Sequence, residues 1–235
     1  MRCLILAVRV TCEAQACHEE INDGDADMRT QSQWIKDSIA NTRLASEVCA
    51  GMEIRSLSQN KVSSNDTHHF NAHIYVDGTK VMRVENDGRG GNNYYTPPKE
   101  EGRKLYRKAI DIAENYCKTE RWHEYEEIRS KEDSDFSFYK EMDLEFAYLD
   151  IAVGSLINEQ LTTKEMDKAL RRHIHIIDRD ANSGKGLLYA TDKRSTKPHI
   201  ENSKKALKKI GKHFDYILLN TLNPTTQLKL WLTVA

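Results

Sequence analysis

The sequence predicts an α+β protein, an antiparallel β-meander plus helices, with a C-terminal half of mixed β-hairpin and helix. Three observations carry this. HFNAHIYV (69–76) alternates Phe70, Ala72, Ile74 and Val76 onto one face, and Asp77-Gly78 turns it back into TKVMRVEN (79–86). Leu105, Ala109, Ile112, Ala113 and Tyr116 recur at helical spacing, as do Met142, Phe146, Leu149, Val153, Leu156 and Ile157. Strands and helices then interleave without regular βαβ units, which argues against a parallel sheet.

Taken in order, Trp34, Ile35, Ile39 and Leu44 predict one amphipathic helix from Met28 to Leu44. Residues 1–27 read either as an extension upstream of the folded part or as a strand at 3–11. MEIRSL (52–57) is the first strand of the meander, and SSND (63–66) the turn before the hairpin. Thr96, Pro97-Pro98 and Glu100-Glu101 open a helix reaching about Lys118, and the charged residues 119–135 read as its extension and a linker. A longer helix follows from Met142 to Leu161. Thr162-Thr163-Lys164-Glu165 resembles a capping box for a separate short helix ending near Arg172. HIHIID (173–178) and LLYATD (187–192) flank the turn ANSGKG as a second hairpin. A helix over 200–213, a strand YILLN (216–220) and a helix opened by Asn223-Pro224 complete the chain. The expected partition is an N-terminal extension, 1–45, and one α+β domain, 46–235. That domain holds a meander and helix at 50–130, then a helix, hairpin and basic helix at 140–235.

Composition narrows the class. In 235 residues, 39% are hydrophobic and 30% charged, the balance of a globular chain. The net charge of −1 gives no global attraction to nucleic acid or membrane, but the charge is segregated. Residues 99–150 carry 10 basic and 15 acidic side chains, and residues 162–216 carry 14 and 7. The five cysteines form no CxxC pair, so zinc and a disulfide framework are not expected. MRCLILAVRVTCEAQA imitates a signal peptide, but Arg9 cuts its apolar run short. The reading is a cytoplasmic protein (the host cytoplasm if phage-encoded), with no membrane partner and no cofactor.

Four groups of residues invite chemistry. In VENDGRGGNNYY (84–95), three glycines in four residues free the backbone for a tight reversal or a ligand's close approach. No Lys-Ser/Thr follows Gly91, and NNYYTPP separates the loop from the next helix, so neither standard nucleotide motif fits. What remains is a connector or a backbone nest, with Asn86, Asp87, Gly88, Arg89, Gly90, Gly91, Tyr94 and Tyr95 as candidate binding residues. ENSKKALKKIGKHF (201–214) sets Lys205, Lys208, Lys209 and Lys212 opposite an apolar face. With Arg171, Arg172, Lys193, Arg194 and Lys197 close by in the sequence, they are candidate phosphate contacts, or else a solvated lysine face. His173 and His175 alternate onto one strand face with Asp178 close by, two would-be metal ligands that lack a visible third. Histidines 68, 69 and 73 lie on the other hairpin. Glu145 falls on the apolar side of its helix, either a carboxylate of altered acidity or an ordinary first-turn glutamate.

The order of these motifs resembles a group of phage and mobile-element proteins. These share an F-x-A-x-hydrophobic-Y-x-D-G-x-K-V hairpin, here Phe70 to Val81, and an N-D/G-G-x-G-G loop, here Asn86 to Gly91. They also share an acidic middle helix, here MDLEFAYLDIAVGSLINEQL, and an ending such as ILLNTLNPTTQLKLW. The resemblance covers roughly residues 52–232 and implies genomic context more than chemistry: accessory proteins, some of which act against host machinery. The sequence expectation is a non-enzymatic accessory protein that binds a host protein or nucleic acid and interferes with a host process such as defence. The alternatives are a metal-dependent phosphodiester hydrolase using His173, His175 and Asp178, and a virion structural or assembly factor.

Overall fold

The computed structural model describes residues 31–60, 67–96, 100–132, 141–179, 186–210 and 216–234. They show the α+β architecture, two antiparallel sheets with helices. The chain divides into two compact units, Leu44–Thr162 and Thr163–Ala235, the latter taken with the described residues up to Arg43. This differs from the 1–45 and 46–235 partition drawn from the sequence. Residues 1–27, and with them the candidate strand at 3–11, lie outside the described residues, as do the SSND turn and the ANSGKG turn apart from Gly186.

In the 44–162 unit, the short helix α2 (Ala45–Val48) leads into β1 (Met52–Gln59), β2 (His69–Val76), β3 (Thr79–Asp87) and β4 (Tyr94–Thr96). They form a four-stranded antiparallel sheet in chain order. Asp77 and Gly78 have φ of 50° and 76°, the two left-handed positions that the hairpin turn requires. One face of the sheet carries Ile54, Phe70, Ala72, Ile74, Val76 and Val84 into the core. Two β-bulges adjust the register, one at Arg55/Ser58 with Ser56 at φ 55°, the other at Ile74/Tyr75, where Val81 and Met82 are both buried.

Against that face lie α3 (Arg103–Glu120) and the first part of α5 (Glu141–Arg172), and α4 (Trp122–Glu132) adds Tyr125 and Ile128 to the same core. The inward residues Ala109, Ala113, Leu149, Ala152, Val153 and Ile157 are the ones the 3.6-residue period selects. Full burial of each large aliphatic side chain contributes about 1.5–3 kcal/mol. Residues 119–132 do not simply prolong the preceding helix, and 133–135 lie outside the described residues. The chain breaks at Arg121, whose N–H still reaches the Cys117 carbonyl (2.9 Å), and restarts at Trp122.

Cys49 and Cys117 are buried in this core, and burial pushes each thiol up to about 12. A thiolate is the reactive species. Maleimide at pH 7.5, read by peptide mass mapping, is therefore expected to leave both unlabelled until denaturant is added. Rapid native labelling of either would contradict the burial.

The other unit contains α1 (Gln31–Asn41), the end of α5, β5 (His173–Arg179), β6 (Gly186–Arg194), α6 (Lys197–Ile210), β7 (Tyr216–Leu218) and α7 (Pro224–Val234). Its sheet has the order β6-β5-β7, all antiparallel. Met166, Leu170, Ile174, Ile177, Ile217, Leu219, Leu228 and Leu230 are buried. Helix α1 joins this unit because its C-terminal end reaches α7, with the Thr42 and Thr233 hydroxyls 3.2 Å apart. Asn223 caps α7 through its side-chain oxygen, which accepts the Thr226 N–H (2.9 Å), and proline occupies the first turn.

One helix boundary is corrected. Thr162-Thr163-Lys164-Glu165 caps nothing: α5 is continuous from Glu141 to Arg172, and the division between units falls inside it. No glycine or proline interrupts the chain there, and Met166 and Leu170 carry the apolar spacing onward, so the helix has no reason to stop.

Candidate functional site

The glycine loop leaves the end of β3, and strand alternation decides what it can do. Met82 and Val84 point into the core, and the next inward position is Asn86, only 5% exposed. A buried amide must find partners, and this one is satisfied on both sides. Its Oδ1 accepts the Gly88 N–H (2.8 Å) and the Thr67 hydroxyl (2.8 Å). Its Nδ2 donates to the Gly91 carbonyl (3.3 Å) and to Asn93 Oδ1 (3.1 Å). Asp87 Oδ1 takes the Arg89 N–H (3.1 Å), and Thr67 Oγ1 takes that of Gly90 (3.4 Å). Gly88, Gly90 and Gly91 have φ between 78° and 102°, which is why glycine occupies them.

This corrects the backbone nest. Gly88 is buried, and the N–H groups of Gly88, Arg89 and Gly90 are already engaged by side chains, so these three amides do not stand open to an anion. The rim is what stays accessible. Arg89, Gly90, Gly91 and Asn92 are exposed, and Tyr94 is 64% exposed.

Tyr95 does not join Tyr94 on that rim. It points the other way and is half-buried, stacked on Phe146 with ring centroids 5.2 Å apart. Its hydroxyl donates to Asp150 Oδ1 (2.6 Å), and Asn93 Nδ2 donates to the same oxygen (3.0 Å). Burial raises the Asp150 carboxyl, an effect the two hydrogen bonds oppose. Burial and then the neighbouring Asp150 charge hold the Tyr95 phenol well above its usual range. A continuous chain of bonds thus runs Thr67, Asn86, Asn93, Asp150, anchoring the loop to α5. Thr67, Asn93 and Asp150 went unrecognised in the sequence. The only signal available was the inward parity of Asn86 on its strand.

Glu145 is also tied down. Its carboxylate accepts the Tyr106 hydroxyl (2.9 Å) and pairs with Arg107, and only 13% of the side chain is exposed. It fastens α5 to α3.

The histidine pair is taken apart. The β5–β6 ladder slips between the pairs His173–Arg194 and His175–Ala190, and the two imidazoles differ in burial. His173 is exposed, whereas His175 is buried beside Trp231 with Nδ1 3.2 Å from the His173 carbonyl. Burial lowers the His175 pKa. Asp178 is half-buried, and among the described residues no three His, Cys, Asp or Glu side chains are placed to hold a metal ion. On the first hairpin, His68 is exposed, with Nδ1 3.1 Å from Gln59 Nε2, while His69 and His73 are half-buried. Arg171, Arg172 and Lys205 are exposed. The side chains of Lys208 and Lys209 lie outside the described set, as does the whole of Lys212. Among the described residues, no helix is long and apolar enough to cross a membrane.

No protein-family model matches the sequence, no curated protein matches it, and no solved structure matches the fold.

Proposed function

We propose that the chain is a non-enzymatic accessory protein of the phage or mobile-element kind that binds a host protein through the rim of the glycine loop. The observation that carries this is the Asn86 brace. Four side-chain hydrogen bonds hold a loop whose exposed face offers Tyr94 and Arg89. Tyrosine and arginine dominate the energetics of protein interfaces, and a loop fixed beforehand loses little entropy on docking. The genomic context and the interference with a host process rest on the resemblance of Phe70–Val81 and Asn86–Gly91 to phage proteins.

The test is a tagged chain passed over nuclease-treated bacterial host lysate, with bound proteins quantified by mass spectrometry. Wild type is expected to retain a discrete host protein, and Tyr94→Ala/Arg89→Ala to lose it by about 30-fold or more. The charge-matched Lys205→Ala, which likewise removes one positive charge, should retain it. Identical protein sets from wild type and the rim variant would end the proposal.

A further inference from the structure

We infer that the 163–235 unit carries a second binding site, independent of the glycine loop: a cationic corner that grips the phosphate backbone of nucleic acid. Four chain segments meet there. Helix α5 ends in Arg171-Arg172 and passes directly into β5, whose first residue, His173, lies opposite Arg194 on β6. The Ser195 N–H donates to the Arg172 carbonyl (3.3 Å), which returns the end of β6 to the end of α5. Helix α6 begins two residues later at Lys197, and His199 Nδ1 sits 3.1 Å from the Arg194 carbonyl. From the 3₁₀ turn after β7, Asn220 Nδ2 reaches the carbonyls of Leu170 (2.8 Å) and His173 (3.0 Å) and Ser195 Oγ (3.0 Å). One amide therefore ties the junction of α5 and β5 to Ser195, the residue after β6.

Arg171, Arg172, Arg194 and Lys197 are all exposed, and among the described residues none is paired with a carboxylate. The acid next along α6, Glu201, is occupied by Lys204 (3.1 Å). Residues 163–235 hold 15 basic and 7 acidic side chains, so the stretch of chain that forms the corner is itself basic. Gathering like charges costs energy that a polyanion relieves. Three of the four cations are arginines, whose planar forks match phosphate oxygens two at a time. The array is also linear. Along α6, Lys205 follows Lys197 after about 12 Å, at about 1.5 Å per residue, beyond the Lys204–Glu201 pair. A row of cations leading away from an arginine cluster suits a chain of evenly spaced phosphates better than the irregular carboxylates of a peptide. Lysine and arginine placed this way read the backbone, so binding is sequence-independent.

The test uses the full chain and fluorescein-labelled 30-mers, single-stranded and duplex, in fluorescence anisotropy at 50 and 200 mM salt. Wild type is expected to bind both. With about four phosphates neutralised, log K should fall against log salt with a slope near −4 on duplex and near −3 on single strands. Arg172→Glu/Arg194→Glu should weaken binding by at least about 30-fold, and Arg172→Gln/Arg194→Gln by about tenfold. Lys80→Glu/Lys104→Glu, an equal change of charge in the other unit, should stay within about threefold. Hydrogen exchange across residues 163–234 is expected to be unchanged in the variants, so that the loss reports contacts and not unfolding. Four outcomes overturn the inference: no binding at 50 mM salt, corner variants that bind as wild type does, a control pair that weakens binding equally, or poly-glutamate or anionic vesicles bound as tightly as the oligonucleotides.

Discussion

Replacing Asn220 by alanine is expected to destabilise the 163–235 unit by about 3 kcal/mol, among the largest effects of any polar substitution in the chain. Asn220 Oδ1 accepts the His175 N–H (2.7 Å), while Nδ2 serves the Leu170 and His173 carbonyls and Ser195 Oγ. Alanine leaves that N–H and the Leu170 carbonyl without this partner at the junction of α5 and β5, and leaves the His173 carbonyl only His175 Nδ1 of its side-chain partners. An orphaned buried group costs about 1–3 kcal/mol, so even partial hydration of the site leaves a substantial loss. Peptide-resolved hydrogen exchange provides the measurement. Amides of 173–179 and 216–218 should lose protection by about 100-fold, while those of β2 and β3 in the other unit remain as in wild type. Asn220→Asp keeps the acceptor for His175 but turns an anion toward two carbonyls, and should be no more stable than alanine. Wild-type exchange in Asn220→Ala would mean that water replaces the amide without cost.

Some of this was legible in the sequence, and some could not have been. Asp77-Gly78 announced its turn because the conformation is local: two positive φ angles favour those residue types whatever the remainder of the chain does. Core positions on α3 and α5 followed from periodicity for the same reason. The spurious boundary at Thr162-Thr163-Lys164-Glu165 shows the limit of local reading, since a capping sequence also fits the middle of a helix whose apolar stripe continues through Met166 and Leu170. Tyr95 looked equivalent to Tyr94 because Asp150 lies 55 residues away. Asn220 gave no signal at all, its partners standing 25 to 50 residues upstream. The cationic corner was half visible. Arg171, Arg172, Arg194 and Lys197 all stand close to the lysine-rich helix in the sequence, but the bond from Ser195 that returns the end of β6 to the end of α5 is a tertiary fact.

Asn86 is the corresponding residue in the 44–162 unit, and Asn86→Ala is expected to release the glycine loop. The substitution removes the acceptor for the buried Gly88 N–H and the Thr67 hydroxyl, and the donor to the Gly91 carbonyl and Asn93. Thr67 would also hold Gly90 less firmly, because its own hydroxyl is oriented by donating to Asn86. The summed cost is about 3 kcal/mol, concentrated in the loop since the hydrophobic face of the sheet is untouched. Exchange of amides 88–91 should accelerate by about 100-fold or more, with little change at Ile74 or Leu149 in the core. Asn86→Asp separates the two halves of the brace. It preserves the acceptor for Gly88 and Thr67 but faces the Gly91 carbonyl and Asn93 Oδ1 with a second oxygen, so protection should fall mainly at 91–93. If host-protein binding depends on a loop held in advance, Asn86→Ala should weaken it about as much as removing Tyr94, although Asn86 is too deeply buried to touch a partner. An Asn86→Ala chain with an open loop and undiminished binding would show that the rim is recognised without its brace, and the proposed site would lose its physical basis.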